Sequence, residues 1–271
     1  GAYPDGYQMD VLRCQECGLI YRALQGGYSN DELHGMQRRD VPDKFTLGRL
    51  ELFQRYVEVI EKYRNVNRVL DVGAGEGHFL HLCSEKGWQV SGVDNNRQLI
   101  RDAAVNYDIH LFHGTVEAAE YPEKFFDVVT LWNVIEHVAD PMSTFRDIYR
   151  ILRPGGAVFL RLTNAEFHVP CRQFLVKINQ IKGKSSRHGF SVIHRYCMRR
   201  ADVERYLTSI GFVEPEVNGA EPMSEYDHMI VAKGKWIVLM LADFTAKIAG
   251  ILYRKQHLFT PSMFATGIKS A

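Results

Sequence analysis

Neither sign of charge is in surplus here: 33 Lys and Arg stand against 32 Asp and Glu, a formal +1. A surface that neutralises several phosphates would tip that balance, so nucleic acid is not an expected partner. The five cysteines form no regular framework, which argues against a disulfide scaffold. No secretory leader is visible in the first residues, and the cytoplasm is the default compartment. The apolar stretch Trp236–Ala242 is followed too soon by Asp243 and Lys247 for a comfortable membrane span. What remains is 46% hydrophobic over 271 residues, enough for one sizeable core.

Against that background, residues 69–77 stand out. Val69-Leu70-Asp71-Val72 reads as a buried strand, and it breaks into Gly73-Ala74-Gly75-Glu76-Gly77 before the helical pattern His78-Phe79-Leu80-His81-Leu82. Glycines at alternate positions between a strand and a helix bring bare backbone beside a ligand. A dinucleotide fingerprint, Gly-x-Gly-x-x-Gly, would need a glycine where this chain has His78. Asp71 at the strand end would also repel a diphosphate and attract an ammonium. The loop thus suits a cationic nucleoside better than a pyrophosphate.

The order of elements after the loop is equally regular. Trp88–Asp94 is a second strand ending in an acid about 20 residues on, where a ribose diol is held. Asp94 can accept from two vicinal hydroxyls, with Asn95 and Asn96 as adenine-edge candidates; the plainer alternative for Asp94 is a cap on the next helix. Ile109–Glu117 reads as a third strand and turn. Phe126–Trp132 is apolar enough for a strand buried on both faces and delivers Asn133-Val134-Ile135-Glu136-His137-Val138 to the same edge. A helix around Pro141–Leu152 then stops at Arg153-Pro154-Gly155-Gly156, before a fifth strand Ala157–Leu162.

Over residues 45–215 this series resembles the class I S-adenosylmethionine-dependent methyltransferases, in particular the group of the ubiquinone-biosynthesis O-methyltransferases. The resemblance implies an α/β fold: a Rossmann-like seven-stranded, mostly parallel sheet flanked by helices, its last strand antiparallel. Asp202–Ile210 and Gly211-Phe212-Val213 read as the matching helix and sixth strand, and Pro261–Lys269 as the last strand, with His228–Lys233 competing for that role. The implied cofactor is S-adenosylmethionine, with S-adenosylhomocysteine as product. Asp71, Gly73, Ala74, Gly75, Gly77, Asp94, Asn95, Thr115, Val116, Trp132 and Asn133 are its expected contacts. Where the family often pairs an acid with the adenine amino group, this chain has Thr115, so backbone around Thr115 and Val116 is the expected partner.

The sulfonium methyl is already electrophilic, so the protein has mainly to hold a nucleophile in line behind it, worth about 7–11 kcal/mol in ideal cases. His137 is the first candidate for general base and Glu136 the second, because they follow the fourth strand. The competing reading is that this Glu-His pair only shapes the loop. Acceptor contacts are expected after the fifth strand and in the later connection, from Asn164, His168, His188, His194 and Tyr196.

The domain is expected at 41–271, preceded by an appendage at 1–40. In that appendage Arg13–Tyr21, with Cys14 and Cys17, resembles one knuckle of a zinc ribbon, an incomplete zinc site because structural zinc takes four ligands. A metal-free hairpin is expected, and Tyr28–Arg39 is a candidate lid. Phe45–Tyr63 carries apolar residues at helical spacing and should pack on the sheet. An inserted amphipathic helix at 235–255 has three readings: a cover for sheet or pocket, an interfacial membrane helix serving a lipid or quinone substrate, or a partner surface. The partner is a small-molecule acceptor with an O, N or C nucleophile. A nicotinamide-dependent oxidoreductase and a non-catalytic S-adenosylmethionine-binding protein are the rivals.

Overall fold

The computed structural model describes residues 10–23, 43–170, 173, 194–220 and 260–270. The expected lid, His188, the competing strand at 228–233 and the helix at 235–255 lie outside them. Among the described residues no helix is long and apolar enough to cross a membrane.

The chain begins with a hairpin of β1 (Asp10–Arg13) and β2 (Ile20–Ala23). Helix α1 (Asp43–Ile60) runs into a 3-10 turn at Glu61–Tyr63, the extent expected from its apolar spacing. Then follow β3 (Arg68–Val72), α2 (His78–Glu85), β4 (Gln89–Asp94), α3 (Arg97–Tyr107) and β5 (Phe112–His113). The second half holds β6 (Phe126–Trp132), α4 (Pro141–Ile151), β7 (Leu152–Thr163), β8 (Tyr196–Cys197), α5 (Arg200–Ile210), β9 (Phe212–Ala220) and β10 (Ser262–Lys269).

Seven strands form one sheet in the order β5-β4-β3-β6-β7-β10-β9. The pairs among β5, β4, β3, β6 and β7 are parallel, and only β10 is reversed, pairing antiparallel with both β7 and β9. This is the expected Rossmann-like sheet with its reversed last strand. The third strand is shorter than its sequence suggested. Ile109 and Leu111 are buried, yet only Val93↔Phe112 and Asp94↔His113 pair, because β5 is an edge with one neighbour.

Alternation along the central strands sends one side chain to each face. Val69, Val128 and Phe159 pack with Phe53, Val57 and Ile60 of α1 and with Phe79 and Leu80 of α2. Leu70, Val129 and Leu160 pack on the other face with Phe145 and Ile148 of α4 and Val203 and Leu207 of α5. Two buried faces are why these strands read as continuous apolar runs.

The Arg153–Gly156 segment is more than a helix stop. It lies within β7 as a bulge: Phe126 pairs with Leu152 but Val128 with Ala157, so three extra residues are looped out. Arg153 uses that loop to ion-pair with Asp127, which also accepts from the backbone amides of Asn65, Val66 and Arg68. Burial pushes the Asp127 carboxyl upward, but the Arg153 hydrogen bond and the three amides outweigh it and hold it below the usual range. The Arg-Pro-Gly-Gly mark is therefore a brace between the start of β6 and the connection into β3.

The N-terminal hairpin is joined to this body. Strand β2 pairs with β8 through Ile20↔Cys197 and Tyr21↔Tyr196, making a second, three-stranded sheet. Leu19 is buried in the same cluster as the α4 and α5 side chains.

Candidate active site

Strand order reverses between β3 and β6, whose connections leave in opposite directions, and the crevice outside the carboxyl ends of such strands is where ligands bind in open α/β sheets. The loop after β3 forms one side. Gly73, Gly75 and Gly77 all have φ between 59° and 77°, a left-handed conformation that side chains disfavour. At Gly73 there is a second reason: a Cβ would come within 2.4 Å of Val134 Cγ2, on the loop after β6. At Gly75 a Cβ would meet nothing within 4 Å, so space is kept open above the loop. Gly77 is the N-cap of α2, and His78, where a dinucleotide fold has glycine, is buried with its ring against Tyr107.

Asp94 closes the loop from below. Its carboxylate accepts from the Gly75 amide at 2.8 Å and the Asn96 amide at 2.7 Å, leaving lone pairs on both oxygens for a ligand. It does not cap α3. That position is taken by Asn96, whose side-chain oxygen accepts from the Gln98 and Leu99 amides. Asn95 is half-buried beside it, its carbonyl near His113 Nε2 at 3.3 Å. Thr115 is exposed and its hydroxyl receives the Ala118 amide at 3.3 Å, while the Val116 side chain is buried in the core, which leaves backbone as what Val116 can offer.

Asp71 does not face the ligand space directly: it is 1% exposed, with the Thr130 hydroxyl donating to it at 2.7 Å. Burial raises its carboxyl to about 8, opposed by Thr130 and reinforced by the charge of Asp94.

The loop after β6 forms the other side. Trp132 ends the strand half-buried, tilted against Phe53 and Tyr56 of α1. Asn133 takes φ 59°, uncommon outside glycine, and is fixed there on three sides. Its amide donates to Arg161 O at 2.7 Å, its Oδ1 accepts from Arg161 Nη1 at 2.5 Å, and its Nδ2 donates to Glu136 Oε1 at 3.3 Å. Glu136 is buried, 1% exposed. Its Oε1 also accepts the Thr163 amide and hydroxyl at 3.1 and 3.0 Å, and its Oε2 is buried with no hydrogen-bond partner. Burial pushes this carboxyl up, but the charges of His194 and His137 draw it below the usual carboxylate range.

His137 is half-buried on the same turn, and His194 reaches it from the segment before β8, the two rings 4.3 Å apart and edge to face. The Tyr196 amide donates to Glu136 O at 3.2 Å and its hydroxyl to Ala139 O at 2.8 Å, so β8 holds this turn. The Glu136, His137 and His194 ligand atoms all lie within 4.8 Å of one another.

The remaining acceptor candidates do structural work. Asn164 is fully buried: its Oδ1 accepts the Glu166 amide and its Nδ2 donates to Thr260 O. His168 is buried with Nε2 3.0 Å from Pro261 O. Both hold the start of β10. Arg161 went unnoticed in the sequence, although a charged residue inside the apolar run of β7 was the available signal; Thr163 opens the stretch after the fifth strand where acceptor contacts were expected. Cys14 and Cys17 sit on the β1–β2 turn, where the Gly18 amide bonds Cys14 O and the Cys14 amide bonds Leu19 O. Among the described residues no further His, Cys, Asp or Glu joins them in a metal-sized cluster.

A methyltransferase-domain family matches residues 45–213. The ubiquinone/menaquinone biosynthesis C-methyltransferase of Vibrio cholerae is 27% identical over 184 residues, 64% of this chain and 68% of the relative. The ubiquinone biosynthesis O-methyltransferase of Pseudomonas entomophila is 38% identical over 104 residues, 36% and 44% of the two chains. In fold, the chain superposes on phosphoethanolamine N-methyltransferase 2 of Haemonchus contortus with TM-score 0.59 and 18% identity, covering 93% of this chain and 63% of that one. A methyltransferase of Archaeoglobus fulgidus gives 0.53 at 18%, covering 82% and 94%. The family match runs from α1 to the start of β9 and takes in every strand that bounds the switch point, so this chain belongs to the methyltransferase-domain family and is an S-adenosylmethionine-dependent methyltransferase.

Proposed function

We propose that the chain methylates a small organic acceptor, entering from the β6–β7 side, while S-adenosylmethionine lies over the β3 loop. The observation that carries this reading is the Gly75 amide held by Asp94 at 2.8 Å, which joins the open glycine loop to a carboxylate with spare lone pairs. Asp94 accepts the ribose hydroxyls, and backbone around Gly73–Gly77 meets the amino-acid end. Asp71, buried under the loop, supplies the negative charge that an ammonium favours. Trp132 and Asn133 border the cofactor from the β6 side, and backbone at Thr115 and Val116, with Asn95, meets the adenine. The cofactor supplies an electrophilic methyl; the acceptor gives up a proton and S-adenosylhomocysteine leaves.

On the acceptor side His137, His194 and Tyr196 line the approach, and Glu136 anchors them from behind. Relatives named for C- and O-methylation of ubiquinone precursors make ring compounds of that type the first acceptors to test. A small molecule, rather than nucleic acid, fits the even charge balance; the compartment proposed is the cytoplasm. The experiment is transfer of labelled methyl from S-adenosylmethionine to a panel of hydroxylated and unsubstituted ring compounds and amines. Labelled product is expected. Tight S-adenosylhomocysteine binding with no transfer to any member would instead favour a binding protein.

A further inference from the structure

We propose that Glu136, His137 and His194 form a site for one divalent transition-metal cation of the zinc class. Their ligand atoms already lie within 4.8 Å of one another across two separate chain segments. Zinc bonds of about 2.0–2.2 Å place tetrahedral ligands roughly 3.5 Å apart, so small side-chain rotations close the set. Two imidazoles and one carboxylate suit zinc or cobalt, whereas magnesium and calcium prefer oxygen alone.

A second observation points the same way. Glu136 Oε2 is buried without a hydrogen-bond partner, on a residue 1% exposed, while Oε1 accepts from Thr163 and Asn133. A buried carboxylate oxygen left unsatisfied is costly, and a cation beside it removes that cost. Thr163 and Asn133 thereby become the outer partners that orient a metal-binding carboxylate. The third ligand is positioned too, because Tyr196, two residues after His194, bonds Glu136 O and Ala139 O. All three ligands are buried or half-buried, unlike the exposed acidic clusters that occur without metal.

Three protein ligands leave the fourth position of a tetrahedron open, the arrangement of a catalytic site. What occupies that position rests on the proposed function: an acceptor oxygen bound there would be both positioned and acidified. His137 would then serve the acceptor through the cation rather than as a free base. Binding of the metal itself is independent of the acceptor.

The test uses the full chain, freed of metal with a chelator and titrated with Co²⁺, whose visible bands report tetrahedral ligation. The Cys14→Ser/Cys17→Ser double variant is titrated in parallel, because that thiol pair is the competing binder. One equivalent of Co²⁺ is expected in both proteins, with Zn²⁺ displacing it. His194→Ala and Glu136→Gln should each weaken binding at least 100-fold while S-adenosylhomocysteine affinity, measured by calorimetry, stays within a few-fold and shows the variants folded. No tetrahedral band in the wild type overturns the site, as does binding unaffected by His194→Ala or lost in the double cysteine variant. Normal Co²⁺ binding without methyl transfer would leave this site standing and count against the proposed reaction instead.

Discussion

The two sides of the switch point are built in opposite ways. The proposed cofactor side comes from consecutive chain: β3, its glycine loop and the end of β4, joined by a backbone amide on Asp94. The proposed acceptor side gathers Glu136, Arg161, Thr163 and His194, which sit on three separate segments and meet through side chains. Backbone geometry that recurs with a short motif suits a ligand common to a whole family. Side chains brought from distant segments can change one at a time, which suits an acceptor that differs between members.

Mutations should separate the sides. The largest effect is expected where they touch. Gly73→Ala combines a φ of 71° with a Cβ 2.4 Å from Val134, costing about 2–4 kcal/mol of stability and weakening S-adenosylhomocysteine binding beyond 100-fold. Denaturant unfolding and calorimetry measure both; a near-neutral result would show that the loops are not packed together. Next is Asp94→Ala, expected to weaken S-adenosylhomocysteine by roughly 1–3 kcal/mol, the cost of ribose hydroxyls left unpaired. Unchanged affinity would mean the ribose lies elsewhere.

Asp71 offers a subtler probe of the cofactor side. With its carboxyl raised to about 8, it is mostly protonated at pH 7 in the ligand-free protein, and an ammonium nearby should drive that proton off. Cofactor binding at pH 7 should therefore release up to about one proton, seen as a buffer-dependent binding enthalpy, and the release should fade above pH 9 and in Asp71→Asn. The same raised value makes the folded state bind this proton more tightly than the unfolded chain does. Ligand-free stability should thus fall as pH rises from about 4 towards 8, a fall that Asp71→Asn removes. Equal enthalpies in all buffers would break the link between Asp71 and the ammonium.

The smallest effect belongs to the acceptor side. Tyr196→Phe deletes one hydrogen bond to Ala139 O and should cost about 0.5–1.5 kcal/mol of stability, with S-adenosylhomocysteine affinity unchanged and turnover of the acceptor reduced. A loss of cofactor affinity of the same size as the loss of turnover would show that the two sides are not separable.

The same contrast explains what could be read in advance. Val69–Gly77 and Phe126–Trp132 were legible because burial on both faces and left-handed backbone each leave a local mark in residue type. Asp94 was legible by its spacing from the glycines. Glu136 was found as a residue but not in its surroundings, since the partners that bury it, Thr163 and His194, come from elsewhere in the chain. That Asn164 and His168 bond Thr260 O and Pro261 O and fix the entry to β10 was not legible, because those partners lie 96 and 93 residues further along the chain. The cap at Asn96 was not legible, because nothing in two adjacent asparagines says which one caps the helix.

The β3 loop with Asp94 should select a cationic methyl donor over a dinucleotide. Calorimetric titration of the full chain with S-adenosylhomocysteine and, separately, with NAD tests it directly. Saturable one-to-one binding of S-adenosylhomocysteine, with NAD at least 100-fold weaker, is the predicted result; NAD binding as tightly or more tightly would contradict it.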